Sequence, residues 1–182
     1  MRLFVAINFD QNVKDYLSEV QALVRSTAFK GNYTLYDNFH LTLRFLGEFP
    51  EGEVDTFCDC LDELACDAKP FTIRIGDINS FNRKDKHIVY VDVTENKEEL
   101  YKLAKKLNEI IDKTIEVEDK TPFKPHITIG REVVFKNMQT ALNVAPYPHP
   151  ILVNEVSLML SSRNKHNVLT YTPLYTVRLG EE

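Results

Sequence analysis

Asn38-Phe39-His40-Leu41-Thr42-Leu43-Arg44-Phe45-Leu46-Gly47-Glu48 and Phe123-Lys124-Pro125-His126-Ile127-Thr128-Ile129-Gly130-Arg131 decide how this chain reads. Each contains the frame His, apolar, Thr, apolar. Side chains on a strand alternate faces with a period of two. His40 and Thr42 therefore share one face, while Leu41 and Leu43 turn the other way into a core. His126 and Thr128 repeat the arrangement, with Ile127 and Ile129 inward. With 5 His and 13 Thr in 182 residues, chance gives a His-x-Thr triplet about 0.4 times, and about 0.07 times with apolar residues at both other positions. Two are present. The plain alternative, two core strands with incidental histidines, needs a buried partner for each imidazole.

The two histidines stand 86 residues apart, close to half the chain. That spacing suggests a duplication in which each half supplies one His strand. Working outward, Leu3 to Phe9 reads as a strand. Asp10 reads as the cap of a helix whose stripe is Val13, Leu17, Val20, Leu23 and Val24, running to about Arg25. Residues 26–31 break it. Phe39 to Leu46 is the first His strand, ended by Gly47, and a helix lies between Pro50 and Pro70. Phe71 to Ile78 is a strand, residues 79–86 a polar turn containing Phe81, and His87 to Val93 a strand. Thr94 or Asn96 caps a helix with Leu100, Leu103, Ala104, Leu107, Ile110 and Ile111 on one face. A short helix is expected near 136–143. Ile151 to Leu160 and Leu169 to Leu179 are strands joined by a polar turn over 162–167. This mixture is α+β or α/β, with helices packed outside concave sheets.

Composition narrows the field. Hydrophobic content of 43% with 6 Gly and 8 Pro supports a core and argues against disorder or a fibre. A net charge of −5 argues against coating nucleic acid by bulk electrostatics, and leaves room for a local basic pocket. The apolar runs are too short to span a membrane, and the N-terminus carries no signal-peptide pattern, so a cytoplasmic protein is expected. Cys58, Cys60 and Cys66 lie in one predicted helix. An odd count without a disulfide framework fits a reducing compartment, no fourth ligand stands nearby for a metal, and the helical stripe puts Cys58 in the core. His87 reads as structural or exposed, His149 as a loop residue and His166 as solvated. Gly-rich phosphate loops, Gly-x-Ser-x-Gly and Cys-x-x-Cys are absent from the sequence.

Two imidazoles and two hydroxyls facing one space suit phosphodiester chemistry. The attacking oxygen loses a proton to a neutral imidazole, and the leaving oxygen gains one from an imidazolium. Thr42 and Thr128 can donate to the non-bridging oxygens, and Arg131 and Lys124 can add positive charge.

With its N-terminal Arg2-Leu3-Phe4-Val5-Ala6-Ile7 and the two quoted segments, the chain resembles the two-histidine (2H) phosphoesterases. More narrowly, it resembles the RNA 2′,3′-cyclic phosphodiesterase and 2′-5′ RNA ligase family. The resemblance implies an α+β, bilobal, pseudo-twofold fold, with two mostly antiparallel sheets flanking a central cleft and helices outside, formed by residues 1–182 as a single domain. It implies metal-independent hydrolysis of a terminal 2′,3′-cyclic phosphate to a 2′-phosphate, without cofactor, by a monomer acting on RNA ends or small cyclic nucleotides. The rivals are a 2′-5′ RNA ligase or 2′-5′ oligonucleotide phosphodiesterase using the same cleft, and a non-catalytic RNA-end-binding module. His40 resembles the family's general acid, His126 its general base, Thr42 and Thr128 its phosphate-holding threonines, and Arg131 the basic residue after the second motif. Tyr33 and Tyr90 stand where rings able to stack on a base are expected.

Overall fold

A computed structural model describes residues 1–137 and 142–180. The first strand, β1 (Arg2–Asn8), is buried along Leu3–Ile7, as its unbroken apolar run requires. Helix α1 (Gln11–Thr27) starts where the Asp10 carboxylate accepts from the Val13 N–H at 2.9 Å, and Val13, Leu17, Val20 and Val24 are its buried stripe. Then follow β2 (Ala28–Tyr33), β3 (His40–Glu48), α2 (Val54–Asp67), β4 (Phe71–Arg83), β5 (Lys86–Glu95) and α3 (Lys97–Thr114). The chain closes with β6 (Ile127–Phe135), β7 (Ile151–Val153), β8 (Glu155–Arg163) and β9 (Leu169–Arg178). Among the described residues no helix is long and apolar enough to cross a membrane.

The strands form two antiparallel sheets, ordered β3-β1-β8-β9 and β2-β6-β5-β4-β7. The order is pseudo-symmetric. The unit strand, helix, His strand occurs as β1-α1-β3 and again as β5-α3-β6, with β1 pairing β3 and β5 pairing β6. Strand β2 is an extra edge outside β6. The helices face away from the cleft, and their stripes join the inward residues of both sheets in one apolar cluster. A smaller cluster of Phe4, Ala6 and Met159, with Tyr171 against it, occupies the other face of the first sheet.

Several expectations need correction. Residues 26–31 do end the helix, at Thr27, but they also start a strand the sequence did not announce: β2 begins at Ala28 directly after the helix. Its polar sequence reflects an edge position with little core beneath it. Residues 79–86 are not a long turn. Strands β4 and β5 stay paired as far as Arg83 and Lys86, with β6 beside β5 up to His87, and only 84 and 85 turn, with Lys84 at φ 58°. On β4, residues 79, 80, 82 and 83 are exposed and Phe81 is half-buried, so alternation leaves little trace there. Cys60 is the buried cysteine of α2, whereas Cys58 is half-buried. Of the two readings of His87, structural or exposed, the first holds: it is buried, and its Nδ1 lies 2.7 Å from the Asn82 side-chain oxygen. The helix expected near 136–143 falls on residues 138–141, outside the described residues.

Candidate active site

The first imidazole is fixed by the residue two before it. His40 Nδ1 lies 2.7 Å from the Asn38 carbonyl oxygen. A carbonyl only accepts, so Nδ1 carries the hydrogen. In the neutral ring Nε2 is then a bare acceptor, and the Thr42 hydroxyl 2.8 Å away donates to it. Asn38 is itself buried. Its side-chain amide donates to the Leu169 carbonyl at 2.9 Å and accepts from the Tyr171 N–H at 3.1 Å. One amide thus mimics a strand, closing the free edge of β9 onto the approach to β3. Phe4 and Tyr171, each with its centroid 5.1 Å from that of His40, pack the ring from neighbouring strands.

The second imidazole repeats the device. His126 Nδ1 lies 2.7 Å from the Lys124 carbonyl, again two residues back. Phe81 stands edge-on at 5.2 Å and Tyr90 at 5.5 Å. The Lys124 ammonium covers the same aromatic pair, 4.6 Å from the Phe81 centroid and 5.8 Å from that of Tyr90. Tyr90 is directly opposite Thr128 in the sheet, so the ring and the hydroxyl share a face.

Both imidazoles are held neutral. Burial, then the Arg131 and His126 charges, push His40 from 6.5 down to about 4, against the opposing pull of the Asn38 carbonyl. Burial, then Arg131 and Lys124, push His126 down as well, while the Lys124 carbonyl and Asp92 pull the other way. Between pH 6.5 and about 4 the unfolded chain therefore binds a proton at His40 that the folded chain refuses. Stability is full above that window and falls through it on acidification, by at most about 3 kcal/mol from this group. Urea unfolding at pH 7.5 and pH 4.5 checks this: wild type should lose more stability than His40→Gln. Equal losses would mean that His40 is not held neutral.

A cavity of about 70 Å³ has Thr42, Phe45, Phe123, Lys124 and His126 in its walls, so the two motifs meet across one space. Strand β3 is tied to the approach of the second motif by charge. Arg44 Nη2 is 3.1 Å from the carboxylate of Asp112 near the end of α3, and Lys120 reaches the same oxygen at 3.0 Å. A larger cavity of about 550 Å³, between residues 7–13 and 150–155, contains neither imidazole.

Of the residues expected in the site, His40, Thr42, Lys124, His126, Thr128 and Arg131 converge on this region. Arg131 does so through its field on both imidazoles. Tyr33 does not join them. Its ring lies under the Arg25 guanidinium of α1, 4.4 Å from centroid to Cζ, and packs against the core. The cause is a bulge. Tyr90 faces Thr128 while Val89 faces Gly130, so one step on β5 spans two on β6. Gly130 and its partner Tyr33 thereby turn to the helix side. A Cβ on Gly130 would meet Val133 Cγ2 at 3.0 Å and the Tyr33 ring at 3.2 Å. Phe4, Phe81, Tyr171 and the Asn38 side chain were not identifiable from local sequence, because each reaches a histidine through long-range pairing. Among the described residues no group of three or more His, Cys, Asp or Glu is placed to hold a metal.

Residues 13–165 match the model of the 2′-5′ RNA ligase superfamily. The RNA 2′,3′-cyclic phosphodiesterase of Thermotoga maritima is 33% identical over 132 residues, covering 72% of this chain and 70% of that protein. The RNA 2′,3′-cyclic phosphodiesterase of Archaeoglobus fulgidus is 34% identical over 152 residues, 81% of each. Among solved structures, TT0787 of Thermus thermophilus superposes with a TM-score of 0.80 at 26% identity over the whole of both chains. E. coli LigT in complex with 3′-AMP superposes at 0.76, with 26% identity, 99% of this chain and 98% of that one.

Proposed function

This chain belongs to the 2′-5′ RNA ligase superfamily, whose members are two-histidine phosphoesterases, and we propose that it hydrolyses the 2′,3′-cyclic phosphate of RNA ends or small nucleotides to a 2′-phosphate. One observation carries the reading. Two imidazoles, each tied through Nδ1 to the carbonyl two residues back, leave both Nε2 atoms for work in one cleft. The curated relatives are named for this hydrolysis, and a nucleotide is bound to the similar LigT.

In this mechanism His126 Nε2 takes a proton from water as the water oxygen attacks phosphorus. The P–O3′ bond breaks, and His40 Nε2–H gives its proton to O3′. Arg131 and Thr128 stabilise the charge growing on the non-bridging oxygens. Thr42 has a protonation-linked role. While His40 is neutral, the Thr42 hydroxyl points at Nε2. Once His40 is charged, Nε2–H donates to Thr42 Oγ1 or to the substrate, and the hydroxyl proton is free to turn to phosphate. In this reading residues 1–182 form one bilobal unit that needs no second copy for its chemistry, since both histidines come from one chain.

The testing assay is hydrolysis of a 2′,3′-cyclic mononucleotide with and without EDTA, with the product identified. A 2′-phosphate formed equally in both is expected. No turnover, or turnover abolished by EDTA and restored by a divalent metal, overturns the reading. The superfamily name also admits 2′-5′ joining or cleavage, for which products from 2′-5′-linked oligomers are the check.

The pH dependence follows from the lowered histidines. Because both free-enzyme values lie below 6.5, the kcat/KM bell should centre below pH 6.5. A bound phosphate favours imidazolium, so the kcat profile should lie at higher pH. From the wild-type curve alone the limbs belong to the coupled pair, and only the single variants can assign them to residues. A profile that rises to a flat plateau would leave one titrating group and sink the two-histidine mechanism.

A further inference from the structure

The pseudo-twofold sets one residue of each half directly against a histidine. In the first sheet Asn8, the last residue of β1, is the cross-strand partner of His40. In the second sheet Tyr90 pairs Thr128 and Val91 pairs Ile127, so one step further Asp92 of β5 stands opposite His126. Ala6, Ile7 and Asn8 thus match Tyr90, Val91 and Asp92 against the two motifs. At the last of these positions the halves carry one shape with different charge. An amide stands opposite His40 and a carboxylate opposite His126.

Both side chains lie on the cleft face of their sheets. The Asn8 amide reaches Met159 Sδ at 3.5 Å, in the small cluster whose Phe4 packs His40. Asp92 follows Tyr90 by two residues and shares its face, and the Tyr90 ring stands 5.5 Å from that of His126. The carboxylate is 16% exposed and firmly held. Its Oδ1 accepts from the Val93 N–H at 2.8 Å and pairs with the Lys97 ammonium at 2.9 Å, and its Oδ2 accepts from the Asn79 amide at 3.0 Å. The charged groups acting on His126 are Arg131 and Lys124, which oppose its protonation, and Asp92, which favours it. Those acting on His40 are Arg131 and His126, both opposed. Lys97, at the start of α3, damps the Asp92 charge without cancelling it. The carbonyl anchors on Nδ1 are the same in both halves, so they cannot tell the two imidazoles apart.

We infer that Asp92 is a positioning residue that directs the catalytic proton, making His126 rather than His40 the imidazole on which positive charge is favoured. This rests on the hydrolase reading and on its assignment of acid and base. In that reaction water gives a proton to His126 Nε2 as its oxygen bonds phosphorus. His40 Nε2–H protonates O3′ as the P–O3′ bond breaks. The site therefore begins with the charge on His40 and ends with it on His126. A carboxylate beside the acceptor, with its neutral isostere beside the donor, makes that net transfer run downhill. The site resets when His126 gives its proton to solvent and His40 takes one up.

The test is an NMR titration of the histidine rings in the free enzyme, with signals assigned from His40→Gln and His126→Gln. In wild type His126 should titrate above His40. Asp92→Asn keeps the shape and should lower the His126 midpoint by roughly 0.5–1 pH unit. Lys97→Gln releases the same carboxylate from its counter-ion and should raise that midpoint. Asn8→Asp should raise the midpoint of His40. A merely structural role for the Asp92–Lys97 pair would move His126 the same way in the first two variants, because each breaks the one ion pair. Opposite signs are the electrostatic signature. An unmoved midpoint in any of the three variants, shifts of one sign in Asp92→Asn and Lys97→Gln, or His40 titrating above His126 in wild type overturns the inference. Should melting curves show that Asp92→Asn does not fold, Lys97→Gln and Asn8→Asp decide by the same rule. None of these midpoints needs turnover. Failure of wild type to hydrolyse a 2′,3′-cyclic nucleotide sinks the hydrolase reading, whereas the midpoints judge Asp92 independently.

Discussion

His40→Ala and His126→Ala are each expected to lower kcat on a 2′,3′-cyclic nucleotide by roughly 10²–10⁴, the usual scale for one acid–base partner. His40 is packed by Phe4 and Tyr171 and His126 by Phe81 and Tyr90, so alanine also leaves a void. His40→Gln and His126→Gln keep more of the volume and should show the same fall in kcat, with melting temperature as the control. The double variant should lose much less than the product of the single effects, because an acid without its base gains little. The two single variants should also differ in kind. With His40 removed, the basic limb of the pH profile should disappear, and with His126 removed, the acidic limb. Either histidine variant with turnover near that of wild type would remove that residue from the chemistry.

How much of this was legible beforehand depends on the range of the interaction. The helices were readable because their stripes are local: Val13, Leu17, Val20 and Val24, and Leu100 to Ile111, are buried as the 3.6-residue period requires, although Leu23, expected in the first stripe, is exposed at its edge. The His strands were readable because alternation needs only their own residues. Failures begin where alternation is interrupted or empty. Residue 58 loses its place in the core to 60 because the two stand about 200° apart, on opposite edges of the stripe centred on Phe57, Leu61 and Leu64, and 60 lies nearer its middle. The family resemblance alone puts Tyr33 in the cleft; the bulge at Ile129-Gly130 reverses the sides, and Tyr33, paired with Gly130, belongs under α1. Tyr90, on the near side of that bulge, lands where a stacking ring was expected. The paired carbonyl anchors at Asn38 and Lys124 sit inside both quoted segments, yet no side-chain pattern marks them, because the backbone makes the bond.

The threonines separate chemistry from packing most sharply. Thr42→Val and Thr128→Val retain the branched shape and its strand preference while deleting the hydroxyl. Removing one donor to a developing phosphate charge costs about 2–4 kcal/mol in the barrier, which is roughly 30- to 1000-fold in kcat. The pair should not behave alike. Thr42 bonds His40 Nε2 at 2.8 Å, whereas among the described residues the Thr128 hydroxyl has no hydrogen bond to His126. Thr42→Val therefore strips a neutral His40 of its donor and a charged His40 of its acceptor, and should displace the basic limb of the kcat profile as well as lowering its height. Thr128→Val should lower the height and leave the limbs in place. Measured kcat against pH, with melting curves for both proteins, distinguishes the cases. A fall in melting temperature with kcat unchanged would put these hydroxyls in the core, and identical limb shifts in both variants would mean that Thr42 has no private link to His40.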